Sequence, residues 1–373
     1  MKIAFSPTIF RVQSEGGISR YFYQLITGIV KSGHDVYVGN QAISGKYLDL
    51  LLEANISTGT VIEKHVGNLF LNPRWPFGWM PTSLSVWKPD IIHETYYSTK
   101  WFGNYSHTTK KVITIYDLIE EKLQLSTKNN SSKSQALSRI DHAICISEMT
   151  QEDLIRIHNF PIEKTSVINL APFPIPDRSQ HNLFTEPIND KPFFLFIGAR
   201  AGYKNFTKLI ESFSKFVKNN SAYELIAFGG GNFTGQELLL LKRFSVTTSV
   251  KQISGNDDLL SRLLTSTIAL VYPSVMEGFG MPPLEALMMG TPVICSEIRP
   301  MIDILSKDSV FFFNPFSTED LLMKMLIVIE SHKSVESVIL GKRLASAFTW
   351  EKCVNQTLTV YKNLISETNL KPI

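Results

Sequence analysis

Residues 271–296 read Val271-Tyr-Pro-Ser-Val-Met-Glu277-Gly-Phe-Gly280-Met-Pro-Pro-Leu-Glu285-Ala-Leu-Met-Met-Gly290-Thr-Pro-Val-Ile-Cys-Ser296, and this stretch decides the fold. The apolar run at 268–272 is typical of a buried parallel strand, and Pro282-Pro283 lies where proline is tolerated, at the first turn of a helix. Gly278 and Gly280 let the intervening loop approach a ligand closely. The order strand, glycine loop, helix and strand predicts a repeat of an α/β fold.

The same stretch has the chemistry of a phosphate cradle flanked by two carboxylates. The N-terminus of a helix at 283–289 favours an anion, and a diphosphate would fit. Glu285 falls in the first turn, where it would repel a phosphate, so we expect it to accept hydrogen bonds from sugar hydroxyl groups. Taken singly, Glu277 and Glu285 can equally be a surface carboxylate and a helix-start residue. Their separation of about 12 Å along a helix axis exceeds the roughly 5 to 9.5 Å of a glycoside hydrolase pair.

The string EGFGMPPLEA, with seven residues between its two glutamates, resembles the donor-site signature of the retaining glycosyltransferases of family 4. This resemblance implies the GT-B fold, in which two Rossmann-like domains face each other across a cleft. It also implies that Glu285 holds the ribose hydroxyl groups of a nucleotide sugar and that Glu277 contacts the transferred sugar. The backbone of Phe279, Gly280 and Met281 would border both groups.

Length and composition bound the remaining possibilities. The 373 residues exceed what one core usually supports, and 44% hydrophobic with 19% charged residues is ordinary for a folded protein. A net charge of +3 gives no argument for nucleic acid as a partner. The three widely separated cysteines are expected to be buried free thiols. Neither a signal peptide nor a membrane span is recognisable, which predicts a cytoplasmic location.

Strand and helix signals alternate along most of the chain, which predicts two doubly wound α/β domains. We expect an acceptor-binding domain at 1–175, a proline-rich linker at 176–190 and a donor domain at 191–347. Phe348-Thr-Trp350 matches the start of the final helix in the family, which crosses back to the N-terminal domain, and 348–373 is assigned to it. The resemblance therefore covers nearly the whole chain.

Two cations follow the first predicted strand of the donor domain. Arg200 offers a planar fork and Lys204 a point charge, which together suit the phosphates of a leaving nucleoside diphosphate. Singly, each would more simply be a solvated loop cation, but the resemblance implies phosphate contacts for both. With Glu277 they form the predicted catalytic set. No Asp-x-Asp motif or His/Cys cluster is present, so we expect neither a metal nor a cofactor beyond the nucleotide sugar.

Three further positions are weaker donor-side candidates. Gly229 opens a triple glycine after a predicted strand, and Ile253 ends the next strand, where it could border the base. Gly17 belongs to a Gly-Gly loop comparable to one that contacts the diphosphate and acceptor in the family. An ordinary tight turn explains each glycine equally well.

The acceptor-side candidates lie at strand ends of the first domain. Polar and aromatic groups follow two strands there, and another histidine precedes a third strand. Orienting the acceptor or taking its proton is one interpretation, and a satisfied structural polar residue is the other. Similar enzymes often have His-Asp where this chain has Tyr116-Asp117. The candidates are His93, Tyr96, Tyr116, Asp117 and His142.

The predicted function is retaining transfer of a hexose from a nucleoside diphosphate sugar to a glycan hydroxyl group. The GGISRY and TIYDLIEEK segments resemble bacterial surface-polysaccharide enzymes, many of them mannosyltransferases, so O-antigen synthesis from GDP-mannose is the first hypothesis. A lipid-linked acceptor would explain peripheral contact with the inner face of the membrane. A basic face for such contact would comprise five lysines that can also be solvated loop charges, namely Lys110, Lys111, Lys122, Lys128 and Lys133.

Two alternatives stay open at this point. A nucleotide-sugar epimerase or hydrolase on the same scaffold would consume the donor without an acceptor. A non-catalytic partner subunit would be expected to lose Arg200, Lys204, Glu277 or Glu285, and all four are present.

Overall fold

The structure, a computed structural model, describes residues 1–13, 15–38, 46–53, 87–98, 108–124, 127–173, 188–200, 202–330 and 335–369. The chain divides into two compact units, Met1–Leu170 with Thr349–Ile373, and Ala171–Phe348. Each unit contains a six-stranded sheet whose strands pair in parallel. The prediction of two doubly wound α/β sheets is confirmed. Most of the proposed linker at 176–190 lies outside the described residues.

The central strands of the first unit are short and buried, as expected of parallel strands covered by helices on both faces, whereas the edge strand Thr165–Val167 is half-buried. Their order across the sheet is β2-β1-β3-β4-β5-β6. The strands are β1 Lys2–Phe5, β2 Asp35–Val38, β3 Ile91–Glu94, β4 Lys110–Ile115, β5 His142–Cys145 and β6 Thr165–Val167. The helices are α1 Thr8–Val12, α2 Gly17–Lys31, α3 Lys46–Glu53, α4 Ile119–Lys122, α5 Thr127–Leu137 and α6 Glu148–His158.

The second unit repeats this plan with the strand order β12-β11-β10-β7-β8-β9. Its core is rich in phenylalanine, because Phe194 and Phe196 of the first strand face Phe213 and Phe216 of the following helix. The strands are β7 Phe193–Ile197, β8 Glu224–Phe228, β9 Val250–Ile253, β10 Ala269–Tyr272, β11 Val293–Ser296 and β12 Phe311–Phe313. The helices are α7 Phe206–Asn219, α8 Gly235–Arg243, α9 Asp257–Ser266, α10 Met281–Met288, α11 Met301–Ile304, α12 Thr318–Glu330 and α13 Val335–Ser346.

The last helix, α14 Trp350–Asn369, belongs to the first unit, as predicted. It packs on α2, where Gly28 leaves room for the side chain of Val354. Farther along, the buried Tyr361 hydroxyl lies 2.5 Å from Nδ1 of His93 in β3. The helix is thus fixed both by apolar packing and by a buried polar contact to the sheet.

The prediction of an exposed basic face is wrong for Lys133, which is buried, and Lys122 is engaged in an ion pair within the unit. Lys133 is only 3% exposed, and its Nζ lies 2.7 Å from Oε1 of Glu121. Burial raises the pKa of Glu121, but its interactions with His158 and Lys133 outweigh burial and leave that pKa lowered. Lys122 pairs with Asp153 at 2.9 Å. These ion pairs tie α4 to α5 and α6.

Cys145, Cys295 and Cys353 are buried free thiols, as predicted. The side chain of Lys128 lies outside the described part of the chain. None of the helices that the structure describes combines the length and the hydropathy needed to cross a bilayer.

Each sheet has one place where its strand order reverses. In the first unit β2 lies on one side of β1 and β3 lies on the other, so the reversal falls between β1 and β3. In the second unit β8 and β9 extend from one side of β7 and β10 pairs with the other, so it falls between β7 and β10. Loops diverge at the carboxyl ends of such strands, and ligands of doubly wound folds bind there.

We expect Gly28→Ala to weaken the attachment of α14. Alanine in a helix interior normally stabilises by about 0.5 to 1 kcal/mol, but here the added Cβ would lie 2.5 Å from Cγ2 of Val354. Overpacking of this kind costs roughly 1 to 3 kcal/mol, so a net loss of stability should appear in urea unfolding and as faster hydrogen exchange in α14.

The control for this variant is the double substitution with Val354→Ala, which removes the opposing methyl groups. It should recover part of the loss relative to Gly28→Ala alone. A single Gly28→Ala variant that is more stable than the parent would contradict the packing described for these two helices.

Candidate functional site

Two of the predicted catalytic residues meet at the strand reversal of the second unit. Lys204 ends a short 3-10 turn, Gly202–Lys204, that follows β7, and Glu277 lies in the loop after β10. The Lys204 Nζ lies 2.7 Å from Oε1 of Glu277, and their side chains are 18% and 9% exposed. The sequence separates them by 73 positions, so only the β7–β10 pairing brings them together.

Asn205 holds the loops that carry this ion pair. Its backbone is left-handed with φ of 57°, and its side-chain amide donates to the carbonyl oxygens of Pro273 at 3.0 Å and Pro315 at 2.9 Å. The Val275 N–H also donates to the Tyr203 carbonyl oxygen at 2.8 Å. Sequence reasoning missed Asn205, although an asparagine between a strand-end loop and a helix is a known signal for a left-handed residue.

The glycine loop reaches α10 through Gly280, which must be glycine for two reasons. Its φ is +94°, and an added Cβ would lie 2.2 Å from Cε of Met301. The helix begins at Met281, two residues earlier than the predicted 283. Because Pro282 and Pro283 have no N–H group, Met281 is the only one of the first three helical residues that can donate to an anion. Anion binding here therefore depends on the preceding loop backbone and the helix dipole.

The other residues of this stretch lie around the loop. Glu285 is 6% exposed on α10, and Gly278 lies directly after Glu277. Phe279 is buried, with its ring centroid 5.8 Å from that of Phe348. Burial, and then the charge of Glu277 and a hydrogen bond to it, raise the pKa of Tyr272 well above its usual value. A neutral Tyr272 hydroxyl group therefore borders the carboxylate of Glu277.

Arg200 does not share the Lys204–Glu277 pair. Its side chain is 2% exposed, and its Nε lies 2.7 Å from Oε1 of Glu237. Its guanidinium group donates to carbonyl oxygens of the triple-glycine loop that begins at Gly229. The Gly229 N–H donates to the Ile253 carbonyl oxygen at 2.9 Å, so the structure brings these two predicted donor-side positions together.

Gly17, in the first unit, is the first residue of α2. The N-terminus of this helix is capped from within the chain, because Oε1 of Gln13 accepts hydrogen bonds from the N–H groups of Ile18 at 3.1 Å and Ser19 at 3.3 Å. Gln13 was not singled out by its sequence pattern. A diphosphate approaching these N–H groups would have to displace the Gln13 amide.

His93 is fully buried, and both of its ring nitrogens have partners. Nδ1 contacts the Tyr361 hydroxyl, and Nε2 lies 2.9 Å from Oγ1 of Thr114. Burial lowers the pKa of His93 to about 3. A neutral histidine whose nitrogens are both engaged holds β3 to β4 and α14, and in this arrangement neither nitrogen can accept a proton from a substrate.

The remaining acceptor-side candidates also have internal partners. The buried Tyr116 hydroxyl donates to the Thr95 carbonyl oxygen at 3.1 Å, and Nε2 of His142 lies 2.8 Å from Oγ of Ser166. Oδ1 of Asp117 accepts from the Ile119 N–H at 3.1 Å at the start of α4. Tyr96 is half-buried beside them. Acceptor contacts by these residues stay predictions.

Glu94, which the sequence analysis left without a role, is the most unusual ionisable group of the first unit. It ends β3 at the strand reversal and is fully buried. Its Oε1 accepts from the Ser6 hydroxyl at 2.5 Å and from the Tyr96 N–H at 3.1 Å. Its Oε2 is buried without a hydrogen-bond partner among the described residues. Burial raises the pKa of Glu94 to about 8, although the hydrogen bond from Ser6 opposes the rise.

Comparisons with protein families cover both units. Residues 15–170 match the family described as Glycosyltransferase Family 4, and residues 179–343 match Glycosyl transferases group 1. The N-terminal match thus includes the Gly-Gly loop, and the C-terminal match includes the Lys204–Glu277 pair and the glycine loop of α10.

Named relatives are similar over parts of their length. O-antigen chain mannosyltransferase B of Escherichia coli is 26% identical over 244 residues, which are 62% of this chain and 63% of that protein. O-antigen chain mannosyltransferase RfbU of Salmonella typhimurium is 28% identical over 179 residues, 47% of this chain and 48% of that protein. The chain therefore spans about half to two thirds of the length of these curated relatives.

The fold is also that of solved glycosyltransferase structures. Anabaena Alr3699/HepE in complex with UDP-glucose superposes with a TM-score of 0.69, at 16% identity, over 99% of this chain and 99% of that one. At this identity the similarity concerns the fold. Two parallel sheets with this connectivity are therefore a GT-B architecture.

We expect the folded parent chain to lose stability as the pH rises toward 8, and we expect Glu94→Gln to remove the part of this loss that Glu94 causes. The folded chain keeps the Glu94 proton up to about pH 8, whereas the unfolded chain releases it near 4.5. The folded state therefore binds more protons in this window, and stability falls as the pH rises through it. His93 gives the opposite slope, but only between about 3 and 6.5.

The measurement is urea unfolding at pH 6.5 and pH 8.5, where His93 is neutral in the folded chain. Its remaining titration in the unfolded chain is common to the parent and the variant, so it cancels in the comparison. The loss of unfolding free energy between these values should be about 1 to 2 kcal/mol smaller in Glu94→Gln than in the parent. Glu163→Gln, at an exposed glutamate, is the matched control and should keep the parent slope. An unchanged slope in Glu94→Gln would show that Glu94 is ionised in the folded chain.

Proposed function

The chain belongs to the GT-B glycosyltransferases of family 4, and on that premise we propose that it transfers a hexose from a nucleoside diphosphate sugar to a hydroxyl group of a growing glycan. The observation that carries the proposal is the Lys204–Glu277 pair at the reversal between β7 and β10, beside the glycine loop of α10. At such a point a cation can bind phosphates and a carboxylate can bind sugar hydroxyl groups. The glycine loop lets the backbone approach the same ligand closely.

The ion pair suggests how the two side chains would respond to a donor. The Glu277 carboxylate neutralises the charge of Lys204 in the structure. A diphosphate brings a stronger charge to Nζ of Lys204, and Glu277 then becomes able to accept hydrogen bonds from the hydroxyl groups of the transferred sugar. Glu285, on the helix that begins beyond Gly280, is proposed to accept from the ribose hydroxyl groups.

We propose that transfer retains the anomeric configuration through a front-face reaction. The bond between the anomeric carbon and the phosphate oxygen breaks while the acceptor oxygen bonds to the same face, and the acceptor proton passes to the departing phosphate. One observation supports this route over a covalent intermediate. Burial raises the pKa of the Cys295 thiol near Glu277 well above its usual value, so this thiol is not an activated nucleophile.

Mannose from GDP-mannose is the first donor hypothesis, and O-antigen or another surface polysaccharide is the proposed product. The mannosyltransferase names of two relatives support mannose as the transferred sugar. The UDP-glucose complex of the Anabaena protein makes UDP the competing nucleotide. The proposed setting is the cytoplasm, with a lipid-linked acceptor at the inner face of the membrane. Charge on the leaving diphosphate is proposed to be stabilised by Lys204 and backbone N–H groups without a metal.

The first test is thermal stabilisation by UDP, GDP, ADP, dTDP and their sugars. A ligand that binds only the folded state at one hundred times its Kd adds about 2.7 kcal/mol, so one diphosphate should raise the Tm selectively. Lys204→Ala and Glu285→Ala should lose this response. Lys208→Ala is the matched control, because Lys208 pairs with Glu211 along α7 at 3.3 Å. No response of the parent chain to any nucleotide would contradict the proposed donor site.

A second test follows the product. With GDP-mannose, an α-configured donor, the expected product is an α-mannoside, identified by NMR, and its rate of formation should be unchanged by EDTA. A β-linked product would exclude retention, and abolition by EDTA would exclude the metal-free mechanism. Consumption of the donor at the same rate without any acceptor would indicate a hydrolase or epimerase instead.

A further inference from the structure

The guanidinium group of Arg200 is enclosed by a single loop. Nη1 donates to the Gly229 carbonyl oxygen at 2.8 Å. Nη2 donates to the next three carbonyl oxygens along the chain, those of Gly230 at 3.2 Å, Gly231 at 2.9 Å and Asn232 at 3.0 Å. Four successive carbonyl oxygens therefore point at one cation, which defines the loop as residues 229–232.

The loop can adopt this shape only because of its glycines. Gly229, Gly230 and Gly231 have φ values of 82°, 69° and 71°, a run of left-handed residues that side chains strongly disfavour. At Gly230 an added Cβ would lie 2.8 Å from Nη1 of Arg200 and 2.9 Å from the Gly198 carbonyl oxygen. The triple glycine is therefore matched to the buried guanidinium group as well as to the turn.

Glu237 completes the cage from α8. Its Oε1 accepts from Nε of Arg200 at 2.7 Å, and its Oε2 accepts from the N–H of Thr234 at 2.7 Å in a capping box at the start of that helix. Burial raises the pKa of Glu237, but hydrogen bonds from Arg200 and Thr234 outweigh it and leave that pKa lowered. The ring of Phe233 lies 4.9 Å from the guanidinium carbon. Arg200 is thus shared between the loop and the helix that follows it.

These contacts argue against a phosphate role for Arg200 in this arrangement. To meet a phosphate, the guanidinium group would have to leave four carbonyl oxygens and a carboxylate that is 17% exposed. Each abandoned acceptor loses a charge-assisted hydrogen bond in a water-poor setting. Lys204 is less constrained, since among the described residues its ion-pair partner is the Glu277 carboxylate in the candidate site itself.

We propose that Arg200 is a positioning residue that folds the 229–232 loop into a wall of the donor site on its nucleoside side, and that Lys204 is the cation that meets the diphosphate. The loop follows β8, which pairs with β7, so it lies at the same edge of the sheet as the Lys204 loop. Gln252 and Ile253, at the end of β9, contact Gly229 and extend this wall. The inference rests on the proposed function, because it presupposes a nucleoside diphosphate donor.

The test compares the binding of GDP and GMP, or of UDP and UMP if UDP is the nucleotide that stabilises the parent chain. Loss of a cation that contacts the phosphates weakens diphosphate binding more than monophosphate binding. A misfolded loop on the nucleoside side weakens the binding of both by the same factor. We expect Arg200→Lys to weaken both about tenfold or more, with an unchanged ratio between them, since lysine keeps the charge but cannot replace the fork. Lys204→Met should weaken the diphosphate at least tenfold more than the monophosphate.

Two further variants disturb the same cage from other sides. Glu237→Gln keeps the shape of the residue and removes its charge, and Gly230→Ala changes no charge but places a Cβ against Arg200. Both should reproduce the parallel loss of diphosphate and monophosphate binding. Hydrogen exchange should be faster in residues 229–233 of all three cage variants and unchanged in β7, which separates a loop effect from general unfolding.

Several outcomes would overturn the inference. A selective loss of diphosphate binding in Arg200→Lys would make Arg200 a phosphate ligand. Tighter diphosphate binding in Glu237→Gln would show that the Arg200 guanidinium group, once released from the carboxylate, binds the donor phosphates. Normal nucleotide binding in Gly230→Ala would show that the loop is not part of the site. If the parent chain binds none of these nucleotides, the proposed function itself fails. This outcome is distinct from failure of the inference, which requires a parent chain that binds nucleotide and a variant that responds differently.

Discussion

The reversal of strand order within each parallel sheet fixes which distant loops meet. Where β7 borders β10, the loops after the two strands come from distant parts of the chain, and loops at such a point diverge. Asn205 joins three strand-end loops by binding carbonyl oxygens of the two others, and its left-handed backbone turns the chain into α7. The Lys204–Glu277 pair exists because these loops are held at this separation.

The two cations after β7 illustrate how side-chain chemistry divides labour at a site. A guanidinium group has a planar set of donors that can satisfy several carbonyl oxygens at once, so Arg200 is suited to shape a loop. An ammonium group is a compact charge on a flexible stem, so Lys204 can exchange one anionic partner for another. The exposed fractions agree with this division, since the Arg200 side chain is 2% exposed and that of Lys204 is 18% exposed.

The corresponding reversal in the first unit has a different electrostatic character. Glu94 ends β3 there among hydroxyl and N–H groups, and burial is the largest influence on its pKa, which rises to about 8. Glu277, in contrast, has the ammonium group of Lys204 at 2.7 Å. Similar backbone geometry thus supports a neutral acid in one unit and an ion pair in the other, because among the described residues only the second unit places a cation beside the carboxylate.

The sequence by itself determined the features that depend on local chemistry. Alternating strand and helix patterns gave two doubly wound units, and the 271–296 stretch gave the glycine loop, the helix and the family. Gly280 and Glu277 were found because a loop motif is contiguous. The tertiary structure alone decided where side chains point and what surrounds them. Arg200 binds carbonyl oxygens of the 229–232 loop, His93 has two internal partners, Lys133 is buried against Glu121, and Glu94 is buried among hydroxyl and N–H groups. The reason is physical, since burial and pairing arise from contacts between residues far apart in the chain, which no local pattern records.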